Sequence, residues 1–176
     1  MARTIQRTDG PEALRVQRHP AFAWTLAALV AAASLVGGAW FVTHPEPLPT
    51  SDAMVHATTP VGQPVYVGMF APDGFDRTLR LSGVKVHTTS SVDLDVQPLL
   101  CRSGTIGVTT DPATFCADLV DPEGESFGPG DSIVVVVTAQ APGAAVVDRV
   151  RLGYREGLQV DTQEAGQSAI VTILER

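Results

Sequence analysis

Asparagine is absent from this 176-residue sequence, lysine occurs once, at Lys85, and cysteine occurs only at Cys101 and Cys116. The near-absence of lysine leaves arginine to carry the positive charge, and there is little of it. Beyond residue 42, seven arginines and Lys85 face 17 carboxylates, a balance of −9. Phosphate backbones are bound by basic surfaces, so an acidic domain of this kind argues against nucleic acid as a partner. The scarcity of cysteine removes any CxxC frame, and no neighbouring Cys/His pair completes a zinc ligand set. No Gly-x-Ser-x-Gly occurs, so the sequence offers no nucleophile elbow, and no base-activated Ser or Cys stands out. His44 lies in a proline-rich stretch and His19 before the apolar run, which leaves His56 and His87 in the main domain. The chain is expected not to be an enzyme and to carry no cofactor. The missing asparagine and heavy use of Arg, Ala, Val, Gly, Pro and Asp are typical of a GC-rich bacterial genome.

The most informative absence is that of charge between Ala21 and Val42, AFAWTLAALVAAASLVGGAWFV. As a helix these residues would reach about 33 Å at ~1.5 Å per residue, enough for a hydrocarbon core of about 30 Å. A helix meets its own backbone hydrogen bonds, which lipid demands. Trp24 and Trp40 sit near opposite ends, where indole rings favour the membrane interfaces. A cleaved signal peptide is the rival reading, but its apolar region runs roughly 7–15 residues and ends on small side chains. This run is longer and exits through Trp40-Phe41-Val42-Thr43-His44-Pro45. Small residues recur four apart, at Ala27/Ala31, Ala33/Gly37 and Ser34/Gly38, a spacing that permits close helix approach and a helix-mediated homo-oligomer. Before the run, Arg3, Arg7, Arg15 and Arg18 outnumber Asp9 and Glu12. Arginine-bearing flanks stay cytoplasmic, so the N-terminus is expected inside and the following domain outside, at the cell membrane.

The expected organisation is a disordered tail over 1–20, a membrane helix over 21–42, a proline-rich linker over 43–52 and an extracytoplasmic domain over 53–176. Pro45, Pro47 and Pro49 alternate in the linker, which reads as a stiff extended spacer of roughly 25–30 Å holding the domain off the membrane. From about Ala53 helical periodicity is missing and turn residues recur at the 8–12-residue spacing of a sandwich or barrel. Val65–Phe70 reads as a strand. Leu79–His87 alternates, with Ser82-Gly83 marking a bulge. Val92, Leu94 and Val96 face a core while Asp93 and Asp95 face water. Thr105–Thr109 is a short strand, Asp111–Gly130 a long loop, Ser132–Thr138 a central strand covered on both faces, Val146–Tyr154 a strand, and Ala169–Leu174 the last one. The fold class is all-β, an antiparallel immunoglobulin-like sandwich of seven or eight strands behind one membrane helix, with a small barrel as alternative. Two thiols in an oxidising compartment pair, so a Cys101–Cys116 disulfide is expected, closing a loop of about 15 residues worth ~3 kcal/mol.

Three constellations invite a functional reading. Met54, His56, Met69 and His87 bear thioether and imidazole, which suit copper, and give the alternative function of extracytoplasmic copper binding or delivery. Asp118, Asp121, Glu123, Glu125 and Asp131 form an acidic stretch without the EF-hand pattern, expected to be solvated. Tyr154, Arg155, Glu156, Gln159 and Gln163 form a polar and aromatic segment, the candidate surface for a protein partner at the cell surface, with Tyr154 packing at a sheet edge as the alternative. That segment, Tyr154-Arg-Glu-Gly-Leu-Gln-Val-Asp-Thr-Gln163, resembles the closing part of a group of single-pass actinobacterial membrane proteins with an extracytoplasmic immunoglobulin-like β domain. The resemblance covers about the last 30 residues and otherwise only the layout, and it implies no activity. The leading expectation is a membrane-anchored, non-catalytic interaction or accessory module.

Overall fold

The computed structural model describes residues 20–175. The arginines and carboxylates of the N-terminal tail, and the disorder expected there, lie outside the described residues. The chain divides into two compact units, one ending at Ala39 and one beginning at Trp40. The first is the body of helix α1, Pro20–Thr43. Its stretch Trp24–Val42 has a mean hydropathy of 1.9 and is long and apolar enough to cross a membrane, a test that a signal sequence also passes. Trp24, Leu29, Leu35 and Val36 are all exposed, as in a segment that is apolar on every side. Gly37 and Gly38 have open space where a Cβ would stand. The helix ends two residues before Pro45, whose ring disfavours helical backbone in the residue before it. There the ring of His44 stacks on Trp40 and its Nδ1 meets the Trp40 carbonyl at 2.9 Å.

The second unit is a body of two β-sheets. Its strands are β1 (Thr50–Pro60), β2 (Val65–Phe70), β3 (Leu79–Lys85), β4 (Thr88–Ser90), β5 (Leu94–Arg102), β6 (Val108–Thr109), β7 (Asp118–Val120), β8 (Ser126–Phe127), β9 (Ser132–Ala139), β10 (Gly143–Val147), β11 (Val150–Glu156) and β12 (Gln159–Leu174). Five of them pair in the order β6-β2-β9-β5-β7. The other seven are organised on β12, which is 16 residues long. Its first half pairs with β11 and its second half with β10, both antiparallel, so β10 and β11 together run as one interrupted strand alongside it. β4 and β3 follow the same line on the far side. β1 pairs with β12 in parallel, from Met54 opposite Ser168 to Pro60 opposite Leu174.

The core fills the space between the sheets. Leu79, Leu81, Leu100, Phe127, Ile133, Leu152 and Tyr154 are fully buried there, with Val135 and Val137. Phe70 stacks on Phe127 at 5.3 Å and Phe75 meets Phe127 edge-on at 5.5 Å. β9 is the central strand expected from its β-branched run. Ile133, Val135 and Val137 face the main core, while Val134 faces a second small cluster with Ile106, Cys101 and Cys116. The disulfide therefore fastens a cover over the outer face of β9. It joins the end of β5 to the segment after a short 3-10 turn, Pro112–Thr114, across a separation of 15 residues. The alternation of Val92, Leu94 and Val96 against Asp93 and Asp95 is as expected, and the bulge falls at Ser82, which is skipped between the Gly83–Gly153 and Leu81–Tyr154 pairs.

Several expected boundaries differ. The long loop Asp111–Gly130 contains β7, β8 and the 3-10 turn, and buries Phe127. Such two- and three-residue strands are too short to show alternation. Val146–Tyr154 is not one strand but is broken at Asp148–Arg149, where the Asp148 N–H reaches the His87 carbonyl at 2.9 Å. Opposite that break, Gly166 takes φ +75, and a Cβ there would lie 1.9 Å from the Met69 carbonyl oxygen of the other sheet. Glycine is required at this crossing because only backbone fits. The final strand begins at Gln159, ten residues ahead of the expected Ala169. β1 begins at Thr50, inside the stretch read as linker.

Candidate interaction surface

The β11–β12 hairpin carries all five residues of the expected partner surface. Its turn is Gly157-Leu158, where Gly157 supplies φ +58 at the first turn position. Val160 and Arg155 pair across the hairpin, and Arg155 pairs on its other side with Arg80 of β3. The five candidates do not form one exposed patch. Tyr154 is fully buried, because alternation along β11 points Leu152 and Tyr154 inward. Its place is the core, a correction to its reading as surface.

Two of the others bind the protein's own chain between Phe41 and Leu48 directly, and a third, Glu156, does so through Arg77. Gln159 Nε2 donates to the Phe41 carbonyl at 2.7 Å. Gln163 Oε1 accepts the Leu48 N–H at 2.7 Å, while its Nε2 donates to Asp161. Glu156 holds Arg77 through two guanidinium nitrogens, the shorter contact being 2.5 Å, and Arg77 Nη1 donates to the Glu46 carbonyl at 3.2 Å. Next along, the Gly166 N–H donates to the Pro49 carbonyl, and Arg149 binds the Ser51 carbonyl and Asp52. Pro45 and Leu48 are buried, Leu48 in the main core. The stretch Pro45–Asp52 is thus laid along the body rather than free as a spacer. Pro45, Pro47 and Pro49 offer no N–H, so the stretch is held mainly through its carbonyls, by the side chains of Arg77 and Arg149 and the Gly166 N–H, and through the Leu48 amide. Burying Leu48 contributes about 2 kcal/mol.

Electrostatics tighten this corner. The Glu156 carboxylate, through its hydrogen bonds, holds the Arg77 guanidinium above its ordinary pKa, against a smaller opposing effect of burial. Burial pushes the Tyr154 phenol up, and the neighbouring Arg77 opposes the shift. The phenol oxygen itself has no hydrogen-bond partner among the described residues. Arg77 directs its Nε and Nη2 to Glu156 and its Nη1 to the Glu46 carbonyl, and it lies close enough to the phenol to favour the ionised form.

The remaining candidates are scattered. Met69 is buried in β2, whereas Met54 and His56 are exposed on β1 and His87 is exposed between β3 and β4. Among the described residues no group of three or more His, Cys, Asp or Glu could hold a metal. Nothing in their placement favours the copper reading. The acidic stretch is not merely solvated. Glu125 and Asp131 both bind Arg102, at 2.5 and 2.9 Å, and Asp131 also accepts the N–H groups of Ser103 and Gly128. The strand interruptions open a cleft of about 630 Å³ lined by Lys85, His87, Asp148, Arg149, Arg151 and Glu164. Sequence reasoning missed it, since its residues meet only through pairings distant in the chain. Phe115, half exposed beside Cys116, was also missed; an aromatic next to a cysteine in a Pro/Asp-rich loop was its only signal.

No protein-family model matches the chain, and no curated protein is significantly similar to it. The likeness of its last 30 residues to actinobacterial membrane proteins therefore has no identified family behind it. The apolar helix together with the disulfide points to a membrane-anchored or secreted protein with an extracytoplasmic domain.

Proposed function

We propose that the protein is a membrane-anchored, non-catalytic interaction module whose β-body lies outside the cytoplasm, with the arginine-flanked N-terminus inside. The observation that carries this reading is the junction at Pro45–Asp52, where the apolar helix passes into a disulfide-bonded body that binds the connecting chain along its own strands. The layout is immunoglobulin-like in that the first strand runs parallel beside the last, and this is a fold-level analogy with no activity attached. Because Glu156, Gln159 and Gln163 are occupied within the chain, the partner-facing region lies elsewhere. The disulfide-held loop around Phe115 suits that role, since aromatic residues on rigid supports dominate protein contacts.

The test uses the full chain in bacterial cells. It should resist alkaline extraction from membranes, and its body should be digested by protease added to intact spheroplasts. A photo-crosslinking residue at position 115 should capture a discrete protein that the same residue at position 140 does not. Release of the body into the medium without its helix, or protection from added protease, overturns the anchored topology; identical adducts from both positions overturn the role of Phe115.

A further inference from the structure

The hairpin tip combines features that the junction does not use. Leu158 and Val160 are 72% and 64% exposed, among the largest exposures of any apolar side chain in the body. Arg155 stands opposite Val160 on one side and opposite Arg80 on the other, so the row reads arginine, arginine, valine on one face. Like charges placed directly across a sheet destabilise it. Neither arginine forms an ion pair among the described residues, and Arg155 spends only its Nε, on the Gly157 carbonyl. The shallow hollow between them is lined by Thr78, Arg80, Ser126, Arg155 and Gly157, with no carboxylate. This is a local positive and greasy spot on a domain of balance −9. Between Leu158 and Val160, Gln159 donates to the carbonyl of Phe41, which is itself 59% exposed beside the 63% exposed Trp40. Trp40 and Phe41 belong to the same unit as the hairpin, so the tip is tied to the last residues of the apolar run, residues that would meet headgroups if the run spans a bilayer.

We propose that the tip of the β11–β12 hairpin docks on the anionic headgroup surface of the membrane, Leu158 and Val160 entering the interface while Arg80 and Arg155 bind lipid phosphates. This rests on the anchored reading above. Apolar side chains flanked by arginine are the composition that interfacial binding selects, and each arginine near an anionic surface favours the docked state about fivefold.

The experiment takes the full chain, reconstituted in vesicles of phosphatidylcholine with or without phosphatidylglycerol, and uses brominated phosphatidylcholine as quencher. The wild-type tryptophans, Trp24 and Trp40, report whether the helix is in the bilayer. A Leu158→Trp variant in a Trp24→Phe, Trp40→Phe background reports the tip. Quenching and a blue-shifted emission at position 158 are expected in phosphatidylglycerol vesicles. Adding Arg80→Gln and Arg155→Gln should lower the docked-to-undocked ratio about fivefold for each arginine. Water-like, unquenched emission at position 158 while the wild-type tryptophans are quenched overturns the docking and leaves the anchor standing. Loss of the quenching when protein is diluted among vesicles would assign the tip to a second copy and also overturn it. Unquenched wild-type tryptophans overturn the anchor and the docking together.

Discussion

At the residue scale, the tightest constraint is Gly166. It needs left-handed backbone and has the Met69 carbonyl where a side chain would begin. Gly166→Ala should lower stability by about 3 kcal/mol or more, or prevent folding, because neither sheet can retreat without opening the core. Gly74 is the control: its φ is +67 but its Cβ direction is empty, so Gly74→Ala should lose only about 1 kcal/mol. Urea unfolding of the two variants checks the contrast. Tyr154 presents the opposite situation, a buried hydroxyl with no hydrogen-bond partner among the described residues. Tyr154→Phe should leave stability within about 1 kcal/mol of wild type near neutral pH. Its effect should appear in alkali. The folded phenol titrates above its unfolded value, so unfolding releases a proton once pH passes about 10, and stability then falls as pH rises. In Tyr154→Phe that alkaline decline should be shallower, and equal slopes in both proteins would refute the assignment. In sequence, Tyr154 is ambiguous because period two places it on the face of Leu152 whereas its composition marks it as surface.

At the scale of elements, the legible ones announced themselves by composition. Five β-branched residues in a row put β9 at the centre, and the alternation of Val92, Leu94 and Val96 fixed which face of its segment is inward. β1 was illegible over Thr50–Met54 because these five residues are exposed there and show no alternation. β7 and β8 owe their existence to partners supplied from β5 and β3, and local sequence holds no record of that. The proline stretch was legible as extended backbone, but its docking depends on glutamines and an arginine more than 30 residues away in the chain. Hydrogen exchange tests that docking directly. The Leu48 amide should be protected in the wild type, and Gln163→Ala, which removes its acceptor, should speed exchange about fivefold. A Leu48 amide exchanging at the free-chain rate in the wild type would mean the segment is a spacer after all. The disulfide belongs to the same scale. Cys101→Ala with Cys116→Ala should lower stability by about 3 kcal/mol in urea unfolding, by freeing the loop that covers Val134.

At the scale of the molecule, the division into an apolar helix and an acidic body could be read from charge and hydropathy alone, because both are bulk properties of long stretches. What could not be read is how β1 closes the body. It lies parallel to β12, and the two keep register without a break from Met54 to Pro60. The chain therefore enters the pair at one end, at Thr50, and leaves it at the other, beyond Leu174. If the helix is held in a bilayer and something attached past Leu174 is tugged away from the cell, the two strands are dragged along each other lengthwise. All their cross-links then share the strain and must give way together, as in a lap joint, where an antiparallel hairpin would peel open one link at a time. A pull applied between Thr50 and Leu174 would therefore load this pair in shear along its length.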